Sequence, residues 1–290
     1  MENELTLRRR VSLHVLRLDL VHPVVSGNKW FKLQKYLQQA AALQARTIIT
    51  FGGAYSNHIV ATAYAAAMKG FASMGIIRGE EPAFYSPSLH DARNLGMQLV
   101  FLSRSDYDTK KRNKDISWLV SGDHNYYVIP EGGIGQEGVS GAAGILKLTG
   151  NPGDFSDIIV AAGTGTTAAG ILEAALPHQR VTAISSMKNN KALQGEIEGL
   201  LQRSTYDNFR LMHDYHFGGY ARYTGELLQW MNAFYHMSNI PLDFVYTGKM
   251  MYSVFDLMKQ GYFKPGAKIL AVHSGGLQGN RSLAEGMLDY

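Results

Sequence analysis

The stretch Ile158-Ile159-Val160-Ala161-Ala162-Gly163-Thr164-Gly165-Thr166-Thr167-Ala168-Ala169-Gly170 decides the fold class. Its first five residues are apolar without alternation, the pattern of a buried strand. A Gly/Thr loop follows, and then the small residues of a helix. Backbone N–H groups at the helix start, threonine hydroxyls and the helix dipole together make a cup for a phosphate. The plainer alternative is a glycine-rich turn with no ligand.

Working outward, the same strand-then-helix alternation recurs. Strands are expected at 47–51 (TIITF), 72–77, 96–102 and 126–129, with helices at 57–69 and 88–95. After the cup, strands are expected at 181–185 and 269–273. This alternation predicts an α/β chain of two lobes, each a mostly parallel sheet covered by helices, with right-handed crossovers. Gly and Pro punctuation at Pro130, Gly132, Gly133 and Gly135 separates the two groups. We expect a smaller α/β domain at 32–130, and a larger domain, carrying the cup, at 1–31 plus 131–290. Ligands in such folds bind at the carboxyl ends of strands, in the crevice between lobes.

Composition removes several function classes. The chain has 290 residues with 46% hydrophobic and 18% charged, so neither a disordered chain nor a coiled coil fits. With no cysteine there is no disulfide scaffold, iron–sulfur cluster, Cys-based zinc site or Cys nucleophile. The net charge of +4 is too mild and dispersed for a nucleic-acid binder. The most apolar run, 59–68, falls short of the ~18 residues a membrane span needs. Polar residues interrupt 11–20, so no secretory signal is read and a cytoplasmic protein is expected. His213 and His216 lack a third ligand, so no metal site is expected. Neither a Walker loop nor a G-x-S-x-G elbow is present.

Two further turns carry candidate chemistry. Ser26-Gly27-Asn28-Lys29 leads into a helix with Lys32 and Lys35. A solvated basic face explains these lysines simply. Alternatively, a helix start and burial depress the pKa of Lys29 toward the nucleophilic amine of an imine-forming lysine. Gly52-Gly53-Ala54-Tyr55-Ser56-Asn57-His58 follows the strand TIITF. Ordinary capping accounts for one polar residue there; three on a double-glycine turn suggest a carboxylate-binding helix start. Later, 242–249 reads as a short strand into a helix with Tyr246 at the turn. Tyr220 in Gly218-Gly219-Tyr220 is a further crevice candidate, and His273-Ser274-Gly275-Gly276 ends the last strand.

Gly163-x-Gly165-x-x-Ala168 also matches a loose dinucleotide fingerprint, but no acidic residue ends the next strand, VTAISSM. NADP through Lys188 stays an alternative. A monophosphate without ribose, such as pyridoxal phosphate, fits better and needs a lysine, which Lys29 supplies.

The pieces SGNKWFKLQ, GGAYSNH, VIPEGG, GTGTTAAG, LDFVYTGKM and HSGG resemble, in this order, the 1-aminocyclopropane-1-carboxylate deaminase/D-cysteine desulfhydrase family. That family has the tryptophan-synthase-β-like fold, and the likeness spans about 26–276. The resemblance implies a pyridoxal 5'-phosphate cofactor bound covalently to Lys29, with Asn57 on its phenolic oxygen. Gly163, Thr164, Gly165, Thr166 and Thr167, with Lys32, would hold the phosphate. Ser56 would meet the substrate carboxylate or relay a proton, and Tyr246 and Tyr220 would sit over a small amino-acid substrate. A homodimer is also implied.

The chain departs from the family in length, at Tyr55, where glutamine is common, and at Trp30-Phe31, where arginine is usual. In the deaminases a glutamate follows the tyrosine of VY-x-GK; here Thr247 does, and Ser274 follows His273, as in desulfhydrases. A carboxylate near the pyridine nitrogen makes a strong electron sink, as opening a cyclopropane ring requires. Expelling a thiolate is easier, since a thiol has a pKa of about 8.5. The expected reaction is β-elimination giving a keto acid and ammonia. Cyclopropane opening is the first alternative, an NADP-dependent oxidoreductase another, and a cofactor-binding protein without turnover a third.

Overall fold

The computed structural model describes residues 10–113, 116, 119, 125–202 and 206–290. Residues 1–9, part of the expected larger domain, lie outside them. The elements in order are β1 (Ser12–Arg17), α1 (Asn28–Ala42), β2 (Thr47–Gly52), α2 (Asn57–Met68), β3 (Ala72–Arg78), α3 (Pro87–Asn94), β4 (Met97–Leu102), α4 (Arg104–Asn113) and β5 (Tyr126–Ile129). Then come α5 (Gln136–Ala143), β6 (Asp157–Ala162), α6 (Thr166–Ala174), β7 (Arg180–Ser185), α7 (Leu193–Glu198), β8 (Phe209–Met212), α8 (Gly225–Ser238), α9 (Thr247–Gln260) and β9 (Lys268–His273).

Among the described residues two sheets form, one ordered β1-β9-β6-β7-β8 and the other β4-β3-β2-β5. Every ladder in both is parallel. Strand β6 shows why it reads as an unbroken apolar run. Ile158, Val160 and Ala162 enter the core shared with Val139, Ala142 and Ile171, while Ile159 and Ala161 enter the core shared with Met231, Met250 and Val254. Helices therefore cover both faces, and no position on the strand meets water. In the smaller sheet Ile48 and Ile49 likewise face opposite cores.

Two strands escape the sequence reading, β1 and β8. Both are sheet edges, paired on one side only. SLHVLR mixes polar and apolar residues because only one long edge is paired and its residues are mostly half-buried. Sequence 242–246, expected as a strand, is not one: the chain turns there and enters α9 at Thr247. The physical reason is Asp243, described below. Helix α1 runs without a break through the expected 31/32 boundary. Phe31 packs in the larger lobe's core, and Leu33, Tyr36, Leu37 and Ala40 pack with Ile48, Ala61 and Ile129 of the smaller one. Among the described residues no helix is long and apolar enough to cross a membrane.

Candidate active site

Four helix starts and one strand end meet in the crevice. Helix α1 begins at Gly27, with no side-chain cap, so Asn28 and Lys29 open the helix. Gly27 has φ +73, and a Cβ there would lie 1.9 Å from the Ser274 carbonyl oxygen. Only glycine lets the α1 start press this closely on the loop after β9, where the Asn28 N–H donates to that carbonyl at 3.0 Å. His273, fully buried, anchors the same loop, its Nε2–H donating to the Pro241 carbonyl at 2.7 Å.

Lys29 Nζ lies 3.4 Å from the Gly132 carbonyl, in the loop after β5. Burial lowers its pKa to about 8, and Glu131 partly opposes the shift. Lys32, one turn on, is 1% exposed. Burial first, and then the charge of Lys29, push its pKa well below the usual lysine value. No acceptor for its Nζ lies within hydrogen-bonding distance among the described residues. A buried cation without an anion is a costly arrangement, which a bound phosphate would relieve.

The cup sits opposite. Helix α6 starts at the left-handed Gly165, again without a side-chain cap, so its first N–H groups are not taken by the chain's own side chains. Thr164 and Thr166 hydroxyls lie 3.3 Å apart, and Asn28 Nδ2 donates to Thr167 Oγ1 at 2.8 Å. That bond joins the two uncapped helix starts. Gly132 lies against Thr164, where a Cβ would come 3.3 Å from Cγ2, so Gly132 separates Lys29 from the cup.

Helix α2 differs, because Ser56 caps it by accepting the Ile59 N–H at 3.4 Å. The Ser56 oxygen thus works as an acceptor toward the helix, which leaves its own proton for a ligand. Asn57 Nδ2 donates to the Gly276 carbonyl at 3.3 Å, and its buried Oδ1 has no partner among the described residues. Neighbouring His58 contacts Thr50 Oγ1 at 2.9 Å; its buried Nδ1 also lacks a partner.

The wall above the cup is Tyr246, whose ring covers Gly163 so closely that a Cβ there would meet Cε1 at 2.8 Å. Tyr220 sits edge-on to Tyr246, with ring centroids 6.2 Å apart, and is 54% exposed. Burial raises the pKa of Tyr246 well above normal, and the nearby Tyr220 adds to the shift. Both phenols therefore stay protonated across the working range.

Thr247 has a more constrained position than the sequence suggests. It is fully buried, and its hydroxyl donates to Asp243 Oδ2 at 2.6 Å while accepting the Asp243 N–H at 2.8 Å. The Asp243 carboxylate, also fully buried, accepts N–H groups from Val245, Tyr246 and Thr247 at 3.0, 2.7 and 2.9 Å. Four donors fill this anion, and they bend 243–247 into a turn rather than a strand. Among the described residues Ser274, 8% exposed, makes no comparable commitment of its hydroxyl.

Asn28, Gly132, Asp243 and Lys249 escaped sequence reading. Asn28 and Gly132 lie within segments already singled out, GNK and EGG. Lys249 carries no local signal, since its partner carbonyls lie in turns that only the fold brings near. Asp243, by contrast, bonds residues two to four positions on, a local turn pattern hidden within LDFVYTGKM.

These residues fit pyridoxal phosphate: an unpaired buried lysine, two uncapped helix starts, a partnerless buried amide oxygen and a second lysine with a lowered pKa. A family model for pyridoxal-phosphate dependent enzymes matches residues 7–275. The chain belongs to that family. The family's cofactor is pyridoxal phosphate, not NADP. A putative 1-aminocyclopropane-1-carboxylate deaminase of Pyrococcus furiosus is 29% identical over 96% of this chain and 88% of its own length. A mitochondrial protein of Arabidopsis thaliana, named a bifunctional D-cysteine desulfhydrase/1-aminocyclopropane-1-carboxylate deaminase, is 31% identical over 92% of this chain and 73% of its own. A solved structure of an ACC deaminase homologue superposes with a TM-score of 0.82 at 27% identity, covering 95% of this chain and 88% of that one. The family thus supplies the α/β fold, the cofactor and an enzyme's chemistry.

Proposed function

We propose that this chain catalyses pyridoxal-phosphate-dependent β-elimination from a small amino acid of the D-cysteine type. With water, D-cysteine would give pyruvate, ammonia and hydrogen sulfide. The observation that carries the choice is the state of Thr247, whose proton is committed to Asp243. Asp243 is itself filled by four donors. Neutral hydroxyls, Ser274 foremost, are then the partners left for the cofactor's ring nitrogen. A neutral partner suits a thiolate leaving group better than a carbon one.

Bound pyridoxal phosphate supplies an electron sink that labilises bonds at the substrate's α-carbon. The chain does the rest. Lys29 is the covalent attachment point and moves the α-proton, with its amine free from about pH 8 upward because burial lowers its pKa. Lys32, the α6 start and Thr164, Thr166 and Thr167 share the phosphate charge. Asn57 holds the phenolic oxygen. Ser56 and the α2 start bind the substrate carboxylate. Tyr246 and Tyr220, kept protonated, donate hydrogen bonds to the departing sulfur.

We also propose a cytoplasmic protein that forms the homodimer implied by the family resemblance, with 1–31 plus 131–290 as the cofactor-binding domain and 32–130 as the smaller one. Sedimentation at two concentrations checks the dimer. Cyclopropane opening stays as a second activity because both named relatives carry that activity in their names.

Keto-acid release from D-cysteine, β-chloro-D-alanine and 1-aminocyclopropane-1-carboxylate, measured side by side, tests the choice. Fast release from the first two is expected, and fast release from the third alone would overturn it.

A further inference from the structure

Lys249, in the first turn of α9, is 1% exposed. Among the described residues its Nζ finds two backbone carbonyls, Gly219 at 2.6 Å and Ser186 at 3.5 Å, and no carboxylate. Burial lowers its pKa to about 8, and the charge of Asp243 partly opposes this. A lysine that merely filled space would be outdone by methionine, which needs no desolvation.

The segment that Lys249 grips is conformationally strained. Phe217, Gly218, Gly219 and Ala221 have φ of +46, +94, +113 and +51. Two of these are side-chain-bearing residues in a region they disfavour, and such a segment keeps its shape only where its surroundings over-determine it. The local bonds run within the loop: Gly218 N–H to His216 Nδ1 at 3.0 Å, Gly219 N–H to His216 O at 2.9 Å, and Arg222 N–H to Gly219 O at 3.1 Å. Phe217 also packs edge-on against Tyr252 of α9. Lys249 adds a charged tie, from the same helix whose start carries Tyr246.

We propose that Lys249 is a positioning residue: its buried ammonium holds the Gly219 carbonyl and so sets Tyr220 against Tyr246 at the mouth of the crevice. The consequence for turnover rests on the role assigned to Tyr220 above; the consequence for the loop does not.

The test uses the holoenzyme with Lys249→Met and Lys249→Arg, and reads amide exchange over 216–222, cofactor absorbance, and kcat and KM for β-chloro-D-alanine. In Lys249→Met, exchange over 216–222 should quicken about tenfold, the loss of one hydrogen bond to a charged donor. Lys249→Arg should restore much of the protection, and cofactor loading should hold in both. The Lys249→Met fall in kcat should be non-additive with Tyr220→Phe, the double variant being no worse than the poorer single one. Unchanged exchange in Lys249→Met overturns the proposal. Quickened exchange with unchanged kcat and KM upholds it and removes Tyr220 from the substrate site. If Lys249→Met does not fold, Lys249→Gln, shorter and neutral, takes its place, and wild-type protection in that variant overturns the proposal equally.

Discussion

Helices α6 and α9 both begin in this crevice, and the chain treats their starts in opposite ways. At α6 the first N–H groups follow a left-handed glycine with no side-chain cap. At α9 the chain's own Asp243 binds the N–H groups of Val245, Tyr246 and Thr247. The physics is the same, an anion at the positive end of a helix. One start leaves that place open, and we propose that a ligand's phosphate takes it. The other fills it permanently and uses the resulting rigidity to aim Tyr246 and to lock Thr247. An unfilled helix start binds, and a filled one positions.

Four substitutions and a pH profile test this contrast. The largest effect falls on Lys29, whose amine lies 3.4 Å from the Gly132 carbonyl beside the α6 start. Lys29→Ala should lower turnover by about 10²–10⁴-fold while the phosphate cup still takes up cofactor. Loss of the lysine-bound absorbance with retained binding by dialysis is the expected result; label from borohydride reduction on another lysine would contradict the assignment.

Breaking the filled start comes next. Asp243→Asn removes the negative charge and turns an NH2 toward the Thr247 donors. Folding stability should fall by about 3 kcal/mol, read as a lower denaturant midpoint at unchanged m. Breaking the open start should do the reverse, with little loss of stability but weaker cofactor binding. Thr167→Ala should raise the cofactor Kd about 10- to 150-fold, the worth of one charge-assisted hydrogen bond. If Thr167→Ala unfolds the chain and Asp243→Asn does not, the two starts have been assigned the wrong way round.

The smallest effect is a shift in a pH profile. Lys29 has a lowered pKa, so its amine is protonated below about 8 and free above it, instead of near the ordinary 10.5. The rate of cofactor uptake by the apoenzyme should therefore rise through pH 8. Glu131 acts against the shift, so Glu131→Gln should move the midpoint further down. A midpoint near the ordinary lysine value would show that burial does not control this amine.

The same contrast separates what could be read early from what could not. The interior strands β2, β3, β6, β7 and β9 stood out because helices cover both faces and the sequence there is apolar without alternation. The edge strands β1 and β8 did not, because SLHVLR and FRLM interleave polar with apolar residues, unlike the apolar edge strands β4 and β5, MQLVFL and YYVI. The α6 cup was visible because it is built from neighbours in sequence, strand, glycine loop and helix start. The turn before α9 was misread as a strand, because LDFVY has strand-like composition and only a buried carboxylate at Asp243 bends it.

Sequence alone determined the α/β class and the resemblance that named the cofactor, and it marked the proposed phosphate cup and Lys29 as the amine to test. All of these are read from short runs of neighbouring residues, whose types dictate local geometry. Tertiary structure decided the rest. Among the described residues it placed Lys32 without a counter-charge, joined Asn28 to Thr167 across 139 positions, and set Lys249 under the Tyr220 loop. Desolvation and long-range pairing have no local pattern, because they arise only when distant turns close on one crevice.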